Sequence, residues 1–354
     1  MAVLISKSQV DKIVQSIGLD RIMDELLQKL EAGIKGFSEN EIFCPERAGF
    51  NYTNPTIGLI EWMPLHDVKN QRVVIKTVGY HPENPTRKGL PTILSNTTLY
   101  DATTGELLCV LESTLATAMR TGAATAVASK ALAASNSTTF GFIGCGAQAI
   151  TQLHALSRIF QIKKVLYYDL NPSVQSSFEN RCAALNIKTE YCQSSIEEIT
   201  SNSDLVCTAT TVDVGAGPLF KEFHTKPHVH FNAVGSDFPG KIELPIELLK
   251  TSFVCPDHLE QAQKEGECQQ LKANEIGATL AEVVQNPSKY DAYKSGRTVF
   301  DSTGWSFEDW VVMELFMDYA AQLGLSENFN MNDNSVDVKN PYDGIFSTAP
   351  SHSY

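Results

Sequence analysis

One short segment constrains this chain more than any other. Residues 144–149 read Gly-Cys-Gly-Ala-Gln-Ala, a G-x-G-x-x-A pattern that follows the strand-like run TTFGFI and opens a helix-like run, QAITQLHALSRIF. In that position Gly144 permits a tight turn, Gly146 lets backbone approach a pyrophosphate, and Ala149 is small enough for close helix–strand packing. The helix N-terminus that follows supplies free N–H donors and a positive partial charge. The next strand-like run, KVLYY, leads into Asp169, about 20 residues on, where a ribose-binding acid belongs. An acid there repels a 2′-phosphate, which points to NAD rather than NADP.

The surrounding pattern agrees. Strand-like TTFGFIG, KVLYYDL, LVCTATT, HVHFNAVG and SFVCPD alternate with helix-like QAITQLHALSRIF, PSVQSSFENRCAAL and ELPIELLK, as βαβ units on a parallel sheet do. Before Glu112 the character differs. IGLIEWMPL, RVVIKTVGY and TILSNTTLYDATTGELLCVLE are rich in Val, Ile, Thr and Tyr, and the stretch from Asp101 to Gly105 reads as a hairpin connector. A helix is predicted over 8–30, with Ser8 as N-cap and Ile13, Ile17, Ile22, Leu26, Leu27 and Leu30 on one face. After Glu112, STLATAMRTGAATAVASKALA reads as a long Ala-rich helix capped by Ser113. A last helix over 307–323 is apolar enough to pack on another domain or subunit, and the Asn- and Ser-rich tail after Leu325 is expected to be loose.

The length of 354 residues suggests about two domains. A net charge of -13 repels phosphate backbones, so no nucleic-acid or anionic-membrane partner is expected. No apolar run approaches the ~20 residues of a membrane span, and MAVLISKSQVDKIV is too polar for a signal peptide. The eight cysteines show no zinc-ligand spacing. Several, such as Cys109 and Cys207, lie inside apolar runs and read as buried hydrophobes in a reducing cytoplasm.

Three cations stand in apolar or small-residue settings: Arg47 in PERAGF, Lys76 in RVVIKTVGY and Arg120 in AMRTGAA. Burying such a charge is expensive without an anionic partner, so each is either half of an internal ion pair or part of an anion site. Asp237 in NAVGSDFPGK follows a buried strand, at the carboxyl end where open α/β sheets bind ligands. It is a candidate proton acceptor, or a turn former. Glu61 in LIEWMP is a second acid in a strand. His224, His228 and His230 fall around Pro227, which argues against one helical face. They read as loop and strand histidines, and no metal site is expected.

Beyond these readings, IGLIEWMPL, IKTVGYHPEN, TLATAMRTGAATAVASKALA, FGFIGCGAQA, NAVGSDFPGKIEL, EGECQQL and VFDSTGWSFED together resemble the ornithine cyclodeaminase/mu-crystallin family, with DFPGK-IEL, GECQQL and FDSTG most like its bacterial ornithine cyclodeaminase branch. The resemblance implies an α/β fold in which a Rossmann-type dinucleotide-binding domain, residues 126–305, is inserted in an α+β dimerisation and substrate domain, residues 1–125 completed by 306–354. It implies a homodimer, NAD as cofactor and a small amino acid as substrate. It assigns Arg47, Lys76 and Arg120 to the substrate carboxylate, with Asp237 as general base and Lys76 beside it in the catalytic set. Glu61, Thr92 and Leu94 would line the substrate pocket. Gly144, Gly146, Ala147, Gln148 and Asp169 would hold the dinucleotide, Thr121 would contact a phosphate, and Thr303 and Gly304 would lie near the nicotinamide.

The implied reaction converts L-ornithine, or a close diamino acid, to a cyclic imino acid with loss of ammonia: proline, from ornithine. Hydride leaves the α-carbon, the terminal amine attacks the resulting imine, and hydride returns to the ring. At pocket positions the chain departs from the family pattern. Thr77 replaces an aromatic residue, Tyr80 stands where a glycine is expected, Leu94 replaces a common Met, and Thr303 replaces an apolar Val. These departures point to tuned chain length or another amino acid, such as lysine or arginine. The alternatives are a cyclic imine (ketimine or pyrroline-2-carboxylate) reductase, an amino-acid dehydrogenase, or a mu-crystallin-like binding protein.

Overall fold

The computed structural model describes residues 1–331 and 337–343. The described residues form two sheets. The first has eight strands, in the order Glu327–Phe329, Ala2–Ile5, Leu107–Glu112, Ile93–Asp101, Arg72–Tyr80, Gly58–Asp67 and Ile42–Phe43, with Ala48–Tyr52 also paired to Gly58–Asp67. All its pairs are antiparallel except Ala2–Ile5 with Leu107–Glu112. The Ile93–Asp101/Leu107–Glu112 hairpin closes as its sequence predicts: Asp101 Oδ1 accepts the Thr103 N–H at 2.8 Å.

The second sheet is all parallel, in the order Glu190–Gln193, Lys164–Tyr168, Thr139–Ile143, Leu205–Thr208, His230–Ala233, Thr298–Asp301 and Phe253–Pro256. Chain order reverses between Thr139–Ile143 and Leu205–Thr208. That is the switch point at which doubly wound Rossmann sheets open a ligand crevice. Its central strands are buried almost throughout, with Phe140, Phe142, Val206, Phe231 and Phe300 inaccessible to solvent, as expected of a sheet covered on both faces.

The helix Thr114–Leu132 lies between the sheets and touches strands of both. Its alanines let neighbours approach closely on every side. Ser113 occupies the N-cap position, but its hydroxyl engages Ser95 and Thr97 on the adjoining strand rather than the helix backbone. The terminal helix Ser306–Leu323 is also buried nearly all round, against Lys7–Ile17, Leu19–Gly36, Thr114–Leu132 and the first sheet.

Several expectations need correction. The predicted helix over 8–30 is two helices, Lys7–Ile17 and Leu19–Gly36, broken at Gly18 with φ 89. The first is capped at Ser6, whose main-chain N–H donates to Gln9 Oε1, rather than at Ser8. Both helices bury the same apolar stripe, which is why the periodicity runs through the break. The segment PSVQSSFENRCAAL is not one helix but Pro172–Ser176, Phe178–Cys182 and a 3₁₀ turn, Ala183–Leu185. The start of the tail is ordered as the edge strand Glu327–Phe329, while residues 332–336 and 344–354 lie outside the described residues. Two further strands of the parallel sheet, Glu190–Gln193 and Thr298–Asp301, lie outside the strand-like runs named above. No helix among the described residues is long and apolar enough to cross a membrane, and all eight cysteines are free.

Candidate active site

A cleft, partly open to solvent, lies where the two sheets meet. The antiparallel sheet contributes alternate residues of two strands, Leu59, Glu61 and Met63 from one and Lys76, Val78 and Tyr80 from the other, together with Ile93. The Ala-rich helix contributes Thr117, Arg120 and Thr121. The parallel sheet contributes Gln148, Val234, Asp237, Lys241 and the Ser302–Thr303–Gly304 turn, and Arg47 completes the lining. Residues more than 250 positions apart in the chain thus share one cavity.

The buried cations are paired, and they also face the cavity. Lys76, 1% exposed, has its Nζ 2.8 Å from Asp309 Oδ2. Arg120 donates from Nε to Asp309 Oδ1 at 2.9 Å and from Nη1 to Glu308 Oε2 at 2.8 Å. Burial, and then the charge of Arg120, lowers Lys76 to about 8. Burial pushes Glu308 up to about 8. Sequence reasoning passed over Glu308 and Asp309. The available signal was the Glu-Asp pair itself, placed in the first turn of a largely apolar helix, where the helix dipole favours acids.

Arg47 ties the two halves together. Its Nη2 donates to the Thr303 carbonyl and, at 3.3 Å, to the Gly304 carbonyl. Nη1 reaches Glu61 Oε2 at 3.4 Å, and Nε lies 2.8 Å from Glu265 Oε1 without hydrogen-bond alignment. Burial raises Glu61 and pushes Glu265 up to about 7. Asp237 stands 3.4 Å from the Lys241 ammonium.

Buried acids organise the loops at the carboxyl ends of the parallel strands. Asp257 accepts from Thr303 Oγ1 at 2.9 Å and from the Gly304 N–H at 2.7 Å. Glu243 accepts from Thr208, Thr210 and the Gly235 N–H. Asp301 accepts the Glu267 and Cys268 N–H groups, and Glu267 accepts those of Glu243 and Leu244. These carboxylates fix the Asp237 and Thr303 segments from below.

The dinucleotide turn suits a pyrophosphate. Gly144 has φ 92, and a side chain there would meet the Ala209 carbonyl at 2.5 Å. Gly146 is the N-cap of the helix Ala147–Ser157, and a Cβ built on it meets nothing within 4 Å. The space above the helix N-terminus is open. Asp169 accepts the N–H groups of Cys145 and Asn171, each at 2.8 Å.

Not every expected residue borders the cavity. Gly144, Gly146, Ala147 and Asp169 lie along the turn beside it rather than in its lining. Leu94 is 41% exposed and pairs with Gly79, on the sheet face opposite Lys76, Val78 and Tyr80. Ile93, one residue earlier, lines the cavity instead. Strand alternation accounts for this, since a shift of one residue changes the face. Thr77 shares that outer face. Thr92 precedes the strand and offers its carbonyl to the His81 N–H. The histidines are dispersed: His230 is buried against Thr298 and Asn232, and His228 meets Asp204. No group of three metal-ligating side chains gathers among the described residues.

Comparison with known proteins agrees with this architecture. The model of the ornithine cyclodeaminase/mu-crystallin family matches residues 7–323. The L-lysine cyclodeaminase of Streptomyces rapamycinicus is 36% identical over 340 residues, covering 96% of this chain and 98% of that protein. The ornithine cyclodeaminase of Brucella suis is 31% identical over 329 residues, covering 92% and 88%. A solved lysine cyclodeaminase, studied for its recognition of L-lysine, L-ornithine and L-2,4-diaminobutyric acid, superimposes with a TM-score of 0.92 at 40% identity, covering 97% of this chain and 99% of that one. An archaeal alanine dehydrogenase dimer with bound NAD superimposes with a TM-score of 0.79 at 30% identity, covering 94% and 99%. The chain belongs to the ornithine cyclodeaminase/mu-crystallin family.

Proposed function

We propose that this protein is an NAD-dependent cyclodeaminase that converts L-ornithine, or a close diamino acid such as L-lysine, to a cyclic imino acid with release of ammonia. The observation that carries this reading is the polarity of the cavity described above. Lys76 and Arg120 gather around Asp309, whereas Asp237 stands with Lys241 beside Tyr80, four residues further along the strand. A zwitterion with a second amine at its far end matches that arrangement.

When bound along the Gly144–Ala149 turn, NAD supplies the hydride acceptor for the α-carbon and its return to the ring. Lys76 and Arg120 hold the α-carboxylate, with Arg47 beside them. This fixes the α-carbon, and orientation of this kind is worth about 7–11 kcal/mol at best. Asp237 takes a proton from the terminal ammonium, freeing its lone pair for ring closure, and passes a proton to the departing ammonia. Glu61 balances Arg47. Gln148 helps hold the dinucleotide, Thr121 contacts a phosphate, and Thr303 and Gly304 lie near the nicotinamide.

A homodimer is supported by the apolar outer face of the antiparallel sheet, where Phe50, Ile60, Trp62 and Leu94 are exposed, and by the dimeric archaeal relative. A cytoplasmic location is supported by the eight free cysteines. The likeness to alanine dehydrogenase favours a second reading, net amino-acid oxidation or imine reduction. One assay separates the two. With NAD and L-ornithine or L-lysine in equal amounts, ammonia without accumulation of NADH is expected. Stoichiometric NADH would replace the first reading with the second.

A further inference from the structure

We propose that Tyr80 limits the length of the amino-acid side chain that the site accepts, an inference that rests on the cyclodeaminase reading above. The strand Arg72–Tyr80 runs along the cavity with Lys76, Val78 and Tyr80 in its lining. Four residues of extended chain separate the α-carbons of Lys76 and Tyr80 by about 13 Å. The carboxylate clamp sits at one end of this span and the phenol ring at the other. In register, Tyr80 faces Leu59 on one neighbouring strand and Ile93 on the other, and both also line the cavity. One cross-strand row therefore closes its far end.

That wall is held in place. The Lys241 ammonium lies 4.5 Å from the centre of the Tyr80 ring and 3.4 Å from Asp237 Oδ1. The Lys241 carbonyl accepts from Ser236 Oγ at 2.6 Å and from Gln269 Nε2 at 2.9 Å, and the Gly240 N–H donates to Gln269 Oε1 at 2.7 Å. The cation over the ring is thus anchored through its own main chain, and the ring has little room to yield. A terminal amine must reach Asp237 beside this wall. Each added methylene must coil within the fixed span or press on the ring, so Tyr80 sets the acceptable number of carbons.

The test compares wild type, Tyr80→Ala, Tyr80→Leu and Tyr80→Phe as NAD-loaded proteins. Ammonia release from L-lysine and L-ornithine gives a kcat/KM ratio. The rise in Tm caused by L-2,4-diaminobutyrate, L-ornithine and L-lysine gives binding without turnover. Shortening the residue to Ala or Leu is expected to raise the lysine-to-ornithine ratio about tenfold, the scale of one methylene in a closely fitting pocket, with the same reordering of Tm shifts. Tyr80→Phe keeps the ring and is expected to hold the ratio within about twofold. An unchanged ratio in both shortened variants, with all substrates falling together, overturns the proposal. If wild type releases no ammonia from either substrate, the cyclodeaminase reading fails on its own, and the order of Tm shifts still decides the length limit. If no diamino acid shifts the Tm either, both are overturned.

Discussion

The Lys76 ammonium and the Asp309 carboxylate stand 2.8 Å apart, both withdrawn from solvent, and Arg120 shares the same carboxylate. Two buried cations therefore lean on one carboxyl group. Glu308, pushed up to about 8 by burial, carries less than a full charge near neutrality although it accepts from Arg120. The cluster keeps an excess of positive charge facing the cavity, suited to one incoming carboxylate. Removing one partner of a buried pair leaves an uncompensated charge, at a cost of about 3–5 kcal/mol. Asp309→Asn, which preserves shape, is expected to lower unfolding free energy by an amount in that range in urea titrations. A loss below about 1 kcal/mol, the scale of an exposed pair, would show that the shared carboxylate does not anchor the cluster.

Lys76 gives the site a pH dependence of definite sign. Burial and Arg120 lower its folded-state value from 10.5 to about 8. Between about pH 8 and 10.5 the unfolded chain holds this proton more tightly, so this group makes stability rise with pH across that window; below it, the penalty of the buried charge is present in full. Binding runs the other way, because the clamp loses a charge as Lys76 deprotonates. The kcat/KM profile of the free enzyme is expected to fall above about pH 8. Lys76→Arg keeps its proton throughout and is expected to move that alkaline limb upward. An unmoved limb would assign it to another group.

In the proposed reaction Asp237 is the general base. Asp237→Asn keeps the volume and removes the proton acceptor, a change worth about 10²–10⁴ in rate for general acid–base catalysis. Ammonia release is expected to fall by that factor, with NADH affinity unchanged within about twofold as measured by fluorescence titration. Turnover near that of wild type would move the base elsewhere, with Glu61 next in line.

The Rossmann half was legible in sequence because its signals are local: a glycine turn, an alternating pattern and an acid at fixed spacing. The clamp was half legible. Arg47, Lys76 and Arg120 stood out as cations in apolar surroundings, but a linear pattern cannot say which distant acids answer them. Glu308 and Asp309 were hidden in a helix whose hydrophobicity dominated its reading. Leu94 and Thr77 were assigned to the pocket although a strand places successive residues on opposite faces, and one residue of phase put both on the outer face. The break at Gly18 escaped notice because a positive φ leaves no trace in a hydrophobic periodicity that continues on both sides of it.

Two glycines separate folding from binding. In Gly122, within the Ala-rich helix, an added methyl would lie 2.4 Å from the Thr151 carbonyl on the next helix. Neither backbone can yield without the other, so Gly122→Ala is expected to destabilise the protein by about 1–3 kcal/mol, outweighing the helical preference of alanine. Gly146 has φ -74 and open space on its Cβ side. Gly146→Ala is therefore expected to leave urea stability of the cofactor-free protein within about 0.5 kcal/mol. The same methyl would stand over the helix N-terminus, where a pyrophosphate must approach the backbone. NADH affinity is expected to fall at least about tenfold, the equivalent of about 1.4 kcal/mol. A Gly146→Ala variant that binds NADH like wild type would remove this turn from the cofactor site.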